Sequence, residues 1–535
     1  MSSAGSNLED GRAALARGGW AEARVRFAEA LAQDETPEAF EGAGLAARYE
    51  LDAAAAFAAH ERGYRLARLR GDPAIAARLA IQLCLDAYAF RGPAEASGWV
   101  ERAALLVEDT PPCVAAAWVS VIRAQFALAD HRPDAAQGES ALAIALAREL
   151  GAVDVEMLAL SVNGLALVST GEIEGGMRRL DAAAAAAVGG EMTDADTIET
   201  VCCHMIDACK LVRDLERATE WCLRVREIAT RFADRQMFSI CRTAYADVLL
   251  WHGDWERADA ELTRAVEELA ALRPGRDVDP LTRVAELRRR QGRIGEVEEL
   301  LARVEPHRFH ALIVGQLALD TGDAATALEA AARFLRRVGG ADRFERVAGL
   351  DLLVRATIAG GDDASARAAA AEIAEIAAGC PTAPLRAAAL LAEGRVAAAT
   401  GDAAAASALL EDAADLFASA GARYDAALAR LELAAVLRVL DRERPAAAAE
   451  ARARTALAEL GARAPDARVG GLSARETEVL RLVARGLGNA DIARELVLSV
   501  RTVERHVANV YLKIGASGRT ARAVATAWAH SHGIA

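Results

Sequence analysis

Lysine is almost missing from this chain. Among its 63 lysines and arginines, only Lys210 and Lys513 are lysine. Neither stands in a G-x-x-x-x-G-K-[ST] loop, so the phosphate cradle of a P-loop nucleotide hydrolase is absent. A phosphoacceptor receiver domain is not expected either, because it needs a lysine beside its aspartates and a set of alternating parallel strands. Aromatic residues make up 4 % of the chain, and β-branched runs are sparse, which argues against sheets. Eight cysteines in 535 residues do not form a dense disulfide framework and fit a reducing compartment. The start, MSSAGSNLEDGR, lacks the basic and apolar regions of a signal peptide. No run of about 20 apolar residues free of charge is found, so no membrane span is expected. The nine histidines form no H-E-x-x-H pair, and no Ser/His/Asp constellation is evident. No catalytic, cofactor-binding or metal-ligating residue is therefore assigned; the expectation is a cytoplasmic protein that is not an enzyme and carries no cofactor.

Alanine fills the space these residues leave. Hydrophobic residues reach 53 %, and alanine, the best helix former, dominates them. The fold class expected is all-α. A pattern recurs in which a helical stretch ends at glycine, often followed by aspartate, and an alanine-rich amphipathic run follows. It appears at Gly253-Asp254, Gly322-Asp323, Gly361-Asp362 and Gly401-Asp402, with weaker copies at Gly19-Trp20, Gly171-Glu172 and Gly292-Arg293. Glycine in the left-handed conformation closes one helix, and aspartate accepts amide hydrogen bonds that start the next. Several spacings are 39 or 40 residues, enough for one pair of helices. Such a pair cannot bury its apolar stripe alone, so successive pairs are expected to stack into a solenoid. The units resemble longer, degenerate tetratricopeptide repeats, whose usual period is about 34 residues.

One cluster in this body invites a metal or redox reading: Cys202, Cys203, His204 and Cys209, followed by Cys222 and Cys241. The C-x2-4-C pairing of structural zinc sites is absent. Buried thiols also serve as small hydrophobes, and packing is the preferred reading. Trp221, Trp251 and Trp255 are likewise read as core or groove lining.

Charge is unevenly spread. The formal net charge is −14, but residues 471–535 hold nine basic and five acidic residues, leaving −18 on the remainder. A basic end on an acidic body points to a local polyanion site. The expected domains are a repeat body over 1–461, a linker over 462–471 containing Pro465, and a small domain over 472–535. In the last, Ser473 to Glu476 reads as a capping box ahead of a first helix buried through Val479, Leu480, Leu482 and Val483. Asn489 is expected to cap a short second helix with Ile492, Ala493 and Leu496 inward. Ser499 is expected to cap a third, in which Val500, Val503, Val507, Val510 and Ile514 form the buried stripe. A final helix over about 519–531 would put Val524, Ala525 and Trp528 on one side. Two short helices joined by a tight turn, the second presenting long polar side chains, fit the major groove of B-DNA.

The run L-S-x-R-E-x-E-V-L-x-L-x-A-x-G-L-x-N-x-x-I-A, continued by S-x-x-T-V-x-x-H-V-x-N-V-x-x-K-I, resembles the LuxR-type helix-turn-helix of bacterial transcriptional regulators. The resemblance covers Leu472 to about Trp528. It implies a four-helix unit whose recognition helix starts at Ser499, with Glu504, Arg505 and Ala508 facing base edges. Arg501, Thr502, His506, Asn509 and Lys513 would then lie near the DNA backbone, with Asn489. Glu504 departs from the lysine often found there, and a carboxylate can accept from a cytosine amino group. His506 is read equally as a packing residue. The resemblance also implies dimerisation through the last helix, at Val524 and Trp528. The chain further resembles MalT-like regulators, which join helical repeats to this module, but lacks their ATPase domain. The function expected is transcription regulation, with double-stranded DNA and a second copy of the chain as partners, no membrane, and a small-molecule, peptide or protein effector on the repeats. The alternative is a protein-binding scaffold with a vestigial helix-turn-helix.

Overall fold

The computed structural model describes residues 3–232, 235–272, 275–304, 307, 309–340, 342–464, 472, 474–496, 498–532 and 534, with backbone alone at 3–4, 229–232, 235–241, 272, 474 and 512–513. These residues form 28 α-helices and no strand. The first 24 helices pair into twelve antiparallel hairpins, and the first helix of each hairpin also packs on the first helix of the next. The result is a solenoid with an alanine-rich interior, as in Ala117, Ala143, Ala183 and Ala258, each with no exposed surface.

All seven joints read from the sequence fall at the turn inside a hairpin. Gly171, Gly253, Gly292, Gly322, Gly361 and Gly401 adopt positive φ there. At the first joint the left-handed residue is Gly18, and Gly19 is the N-cap of the next helix. The aspartates act as expected: Asp323 Oδ1 accepts from Thr326 N at 3.2 Å, Asp362 Oδ1 from Ser365 N at 3.1 Å, and Asp402 Oδ1 from Ala405 N at 3.0 Å. Each such cap contributes about 1 kcal/mol.

Five more hairpin turns carry no signal of this kind in the sequence. Leu51, His131, Arg213 and Asp441 take the left-handed conformation at their turns, with φ between 56° and 61°, and Arg91-Gly92 makes the fifth. An L side chain resists this region by roughly 1–2 kcal/mol, so surrounding packing overrides local preference. With these turns included, most units run near 40 residues, as His131, Gly171, Arg213 and Gly253 mark successive repeats, while the steps from Gly18 to Leu51 and from Gly292 to Gly322 are shorter.

Glycine matters differently where the helices Val153–Thr170 and Ile173–Gly189 cross. A Cβ on Gly176 would stand 2.6 Å from the carbonyl oxygen of Gly164, and one on Gly164 would stand 2.8 Å from that of Gly176. Only backbone fits between them. Val153–Thr170 and Pro73–Phe90 are apolar and long enough to cross a membrane by composition, which the charge-free-run criterion did not register; both are over half buried within the solenoid.

The superhelix closes on itself. Val153–Thr170 touches Arg343–Gly360, and Arg235–His252 touches Arg423–Val439. Thr382 Oγ1 donates to the Val212 carbonyl at 2.7 Å, and the Trp251 indole donates to Ala420 O at 3.4 Å. Residues 462–464, expected as the start of a linker, belong to this packing: Ala462 and Ala464 lie against the core, and Arg463 N donates to Arg290 O at 2.9 Å. Pro465 and the rest of the expected linker to Gly471 lie outside the described residues, as does Ser473 of the capping box.

Cys202, Cys209 and Cys222 are buried in this core, and Cys203 is half-buried. Burial pushes the Cys202, Cys209 and Cys222 thiols up to about 12, so they remain protonated and poorly nucleophilic. His204 Nδ1 meets Ser161 Oγ at 2.9 Å rather than a thiol. The packing reading of the cluster is the one this geometry favours; the side chain of Cys241 lies outside the described residues.

Candidate nucleic-acid interface

The C-terminal unit is built on an aliphatic core instead of an alanine one. Val479, Leu480, Leu482 and Val483 of the helix Ala474–Ala484 pack against Ile492 and Ala493 of Asn489–Glu495, and against Val503, Val507 and Val510 of Val500–Lys513. The last helix, Ala521–Ser531, closes the unit with Ala525 and Ala529, after a short 3-10 turn over Gly518–Thr520. Gly486, at φ 87°, ends the first helix.

Ser499 caps the third helix: its Oγ accepts from Thr502 N at 3.1 Å and lies 2.7 Å from Thr502 Oγ1. The inward residues recur at steps of four and three, leaving the opposite face to solvent. Arg501, Glu504, Arg505 and Ala508 are exposed on that face, and Thr502 and Asn509 are half-exposed. The Lys513 side chain lies outside the described residues.

Four expectations need correction. Val500 is 44 % exposed and not part of the buried stripe, because it occupies the first helical position, before the helix reaches the core. Asn489 is not a cap: Gly488 holds the N-cap position, and Asn489 Oδ1 accepts from Arg522 Nη1 of the last helix at 3.2 Å. His506 is 6 % exposed, and its Nδ1 is buried without a hydrogen-bond partner. Burial, reinforced by the Arg505 charge, holds its imidazole below the ordinary range. Of the two readings left open for it, this burial favours packing over a backbone contact. On the last helix, Val524 and Ala525 do not share a side: Ala525 is in the core while Val524 is 42 % exposed. Trp528 is half-buried and stacks on His532 at a centroid distance of 3.8 Å.

The arginines of this unit divide into two groups. Arg475 pairs with Glu478 at 2.5 Å, Arg485 with Glu495 at 3.2 Å, and Arg494 with Asp491. Arg481 donates to the carbonyl of Ile534 at 3.1 Å, and Arg522 to that of Leu487. These five hold the unit together. Arg501 and Arg519 have no partner among the described residues, and both are exposed. Arg519 escaped the sequence reading because it lies in the 3-10 turn, where no helical period marks it. Arg505 reaches the solenoid: its Nη2 lies 3.5 Å from Asp323 Oδ2, the aspartate capping Ala324–Val338. Both side chains are substantially exposed, so this contact contributes less than about 1 kcal/mol. This face of the helix is therefore open to solvent.

A helical-repeat body carrying a compact helix-turn-helix defines the class. Residues 471–526 match the family described as bacterial regulatory proteins, luxR family, and form a LuxR-type helix-turn-helix domain. A protein of Mycobacterium tuberculosis (strain H37Rv) named as an HTH-type transcriptional regulator, Rv0890c, is 48 % identical over 50 residues, covering 9 % of this chain and 6 % of that protein. The oxygen regulatory protein NreC of Staphylococcus aureus (strain JH9) is 50 % identical over 44 residues, covering 8 % of this chain and 20 % of NreC. The chain thus matches only a small part of the length of these curated relatives. Among solved structures it is similar to a chain of the APC/C hetero-tetramer Cut9–Hcn1, at 12 % identity and a TM-score of 0.47, covering 99 % of this chain and 96 % of that one. It is also similar to the apo form of the quorum sensor NprR from B. thuringiensis, at 11 % identity and a TM-score of 0.37, covering 72 % of this chain and 98 % of NprR.

Proposed function

We propose that this chain is a DNA-binding transcriptional regulator whose C-terminal domain reads promoter DNA with the helix Val500–Lys513, while the solenoid answers an effector. The observation that carries the reading is the exposed face of that helix, where Arg501 has no partner among the described residues and Glu504, Arg505 and Ala508 stand beside it. Cations left unpaired in an otherwise paired domain suit phosphate, which supplies most non-specific affinity. Glu504 and Arg505 are placed to accept from cytosine and to donate to guanine. Arg501, Thr502 and Asn509 serve as backbone contacts, joined by Lys513 and, at the start of the second helix, by Asn489. The exposed Val524 and the flank of Trp528 form the surface for a second copy, so the operator would be two-fold related. The domain division expected from the sequence, 1–461, 462–471 and 472–535, is kept with one change: the repeat body extends through 462–464, which pack on it.

An effector surface is offered by the first helices of successive hairpins, whose charges link neighbour to neighbour. Lys210 pairs with Asp247 at 2.7 Å, Asp247 with Arg283 at 3.0 Å, and Arg289 with Asp320 at 2.7 Å. Arg395 joins Asp351 to Glu432. Against this background Arg213 makes no close ion pair among the described residues; its guanidinium is 5.9 Å from the Trp251 ring centroid and feels Asp425 and Asp351 only at longer range. An effector bearing an anionic group would find its counter-charge there.

The test is binding of promoter DNA across a salt series. Arg505→Ala is expected to weaken specific binding by about 1–3 kcal/mol and relax specificity at one base pair. Arg501→Ala should weaken all sequences alike and reduce the salt slope by about one unit. Unchanged binding by both variants overturns the assignment of this face. Genome-wide crosslinking that recovers no discrete sites, together with a stably co-purifying protein, would favour the scaffold reading.

A further inference from the structure

The fourth and tenth hairpins meet at a group of side chains that neither DNA binding nor effector sensing uses. His131 occupies the left-handed turn between Val114–Ala129 and Pro133–Leu150. Asp342 and Glu345 lie at the start of the helix Arg343–Gly360, more than 200 residues away in sequence. His131 Nδ1 is 2.9 Å from Asp342 Oδ2. The ligand atoms of His131, Asp342 and Glu345 all lie within 4.8 Å of one another, the one such group of three among the described residues.

Asp342 is what sets this group apart from an ordinary surface cluster. It stands at the N-cap position of its helix, like Asp323, Asp362 and Asp402, yet its side chain makes no cap hydrogen bond. It is 7 % exposed, and its Oδ1 is buried without a hydrogen-bond partner. A carboxylate oxygen removed from water and left unpaired costs about 1–3 kcal/mol or more. That position requires a donor or a cation.

We propose that His131, Asp342 and Glu345 form a binding site for a divalent first-row transition-metal ion that ties the fourth hairpin to the tenth. One imidazole nitrogen and two carboxylate oxygens suit Mn2+, Fe2+, Co2+ or Zn2+ and disfavour the thiolate-seeking Cu+. Donors about 2.0–2.2 Å from such an ion stand roughly 3–4 Å apart, so a small side-chain rotation closes the group around it. The two carboxylates neutralise the dication while His131 binds as neutral imidazole. Arg343 pairs with Glu375 at 2.9 Å, and Arg283, which also faces Glu345, pairs with Asp247 and Asp279; the unmet demand at this group is that of Asp342 Oδ1. Because the ligands come from hairpins six units apart, occupancy holds the superhelix closed at this contact.

The experiment is a Co2+ titration of the full-length chain after chelator treatment, followed by visible absorption and by thermal melting. Wild type should bind one equivalent, without a sulfur-to-cobalt charge-transfer band, and its melting midpoint should rise with Co2+. His131→Asn removes the imidazole but tolerates the left-handed turn. It should bind Co2+ about tenfold or more weakly and lose the metal-dependent rise measured against its own melting midpoint in chelator. Asp342→Asn should behave the same way, and Cys202→Ser/Cys203→Ser should bind like wild type. No binding by wild type overturns the proposal, as do a thiolate band or equal affinity in His131→Asn and Asp342→Asn.

Discussion

The solenoid and the C-terminal domain treat charge in opposite ways. In the solenoid, several arginines on the first helices are absorbed by acids on neighbouring hairpins, as Arg395 is by Asp351 of the preceding hairpin and Glu432 of the next. In the C-terminal domain, arginines facing inward or sideways are similarly absorbed, but Arg501 and Arg519 are left over. The body carries −18 and the tail +4, yet net charge alone does not separate structural from functional cations. Pairing does. A cation that another element of the same chain already neutralises stabilises the fold; a cation with none is available to a polyanion.

This contrast can be broken by substitution. The largest effect is expected for Arg395→Ala, which removes the partner of Glu432 and the nearer partner of Asp351, leaving Arg355 at 3.9 Å, at a side chain only 10 % exposed. It should lower solenoid stability by roughly 3 kcal/mol in chemical denaturation, while DNA affinity per folded molecule stays unchanged. Equal stability would show that the charge ladder is surface decoration.

The next effect is one of pH. Burial pushes the His204 imidazole down to about 4, against an ordinary value near 6.5. The folded state therefore binds fewer protons than the unfolded state between those values. The contribution is fully present above pH 6.5 and is lost as pH falls towards 4, amounting to about 3 kcal/mol. His204→Gln should flatten that part of the stability profile; an unaltered acid limb would contradict the burial argument. His506, also lowered by burial, gives the same sign in the DNA-binding domain.

The smallest effect sharpens the boundary between the regions. Asp323→Asn keeps an N-cap oxygen but removes the charge facing Arg505. DNA affinity at low salt should rise by no more than about threefold, equivalent to less than 1 kcal/mol. A much larger rise would mean that the solenoid restrains the recognition helix.

Legibility in the sequence followed the range of the interactions. Glycine-aspartate joints were visible because a left-handed residue and a cap are local requirements, satisfied within four residues. The turns at Leu51, His131, Arg213 and Asp441 were not visible, because long-range packing forces ordinary residues into a conformation that they do not signal. Ser499, Val503, Val507 and Val510 were placed by period and cap alone. His506 was ambiguous for a physical reason: it lies at the edge of the helical stripe, and only the neighbouring helices decide whether that edge is covered. Asn489 shows the same limit, since its partner Arg522 comes from the last helix.

Composition and periodicity by themselves determined an all-α chain, the repeat near 40 residues and the helix that presents Arg501 and Arg505, because each depends on hydrogen bonds and faces within one or two helices. Tertiary structure alone decided that the superhelix closes on itself and that Cys202 and Cys209 are core. It also decided that His131 meets Asp342 and that Arg48, Asp86 and His60 share a buried cluster, with His60 Nδ1 2.5 Å from Asp86 Oδ2. Those pairings join residues far apart in the chain, where the pitch of the stacked hairpins, summed over many small rotations, sets who meets whom.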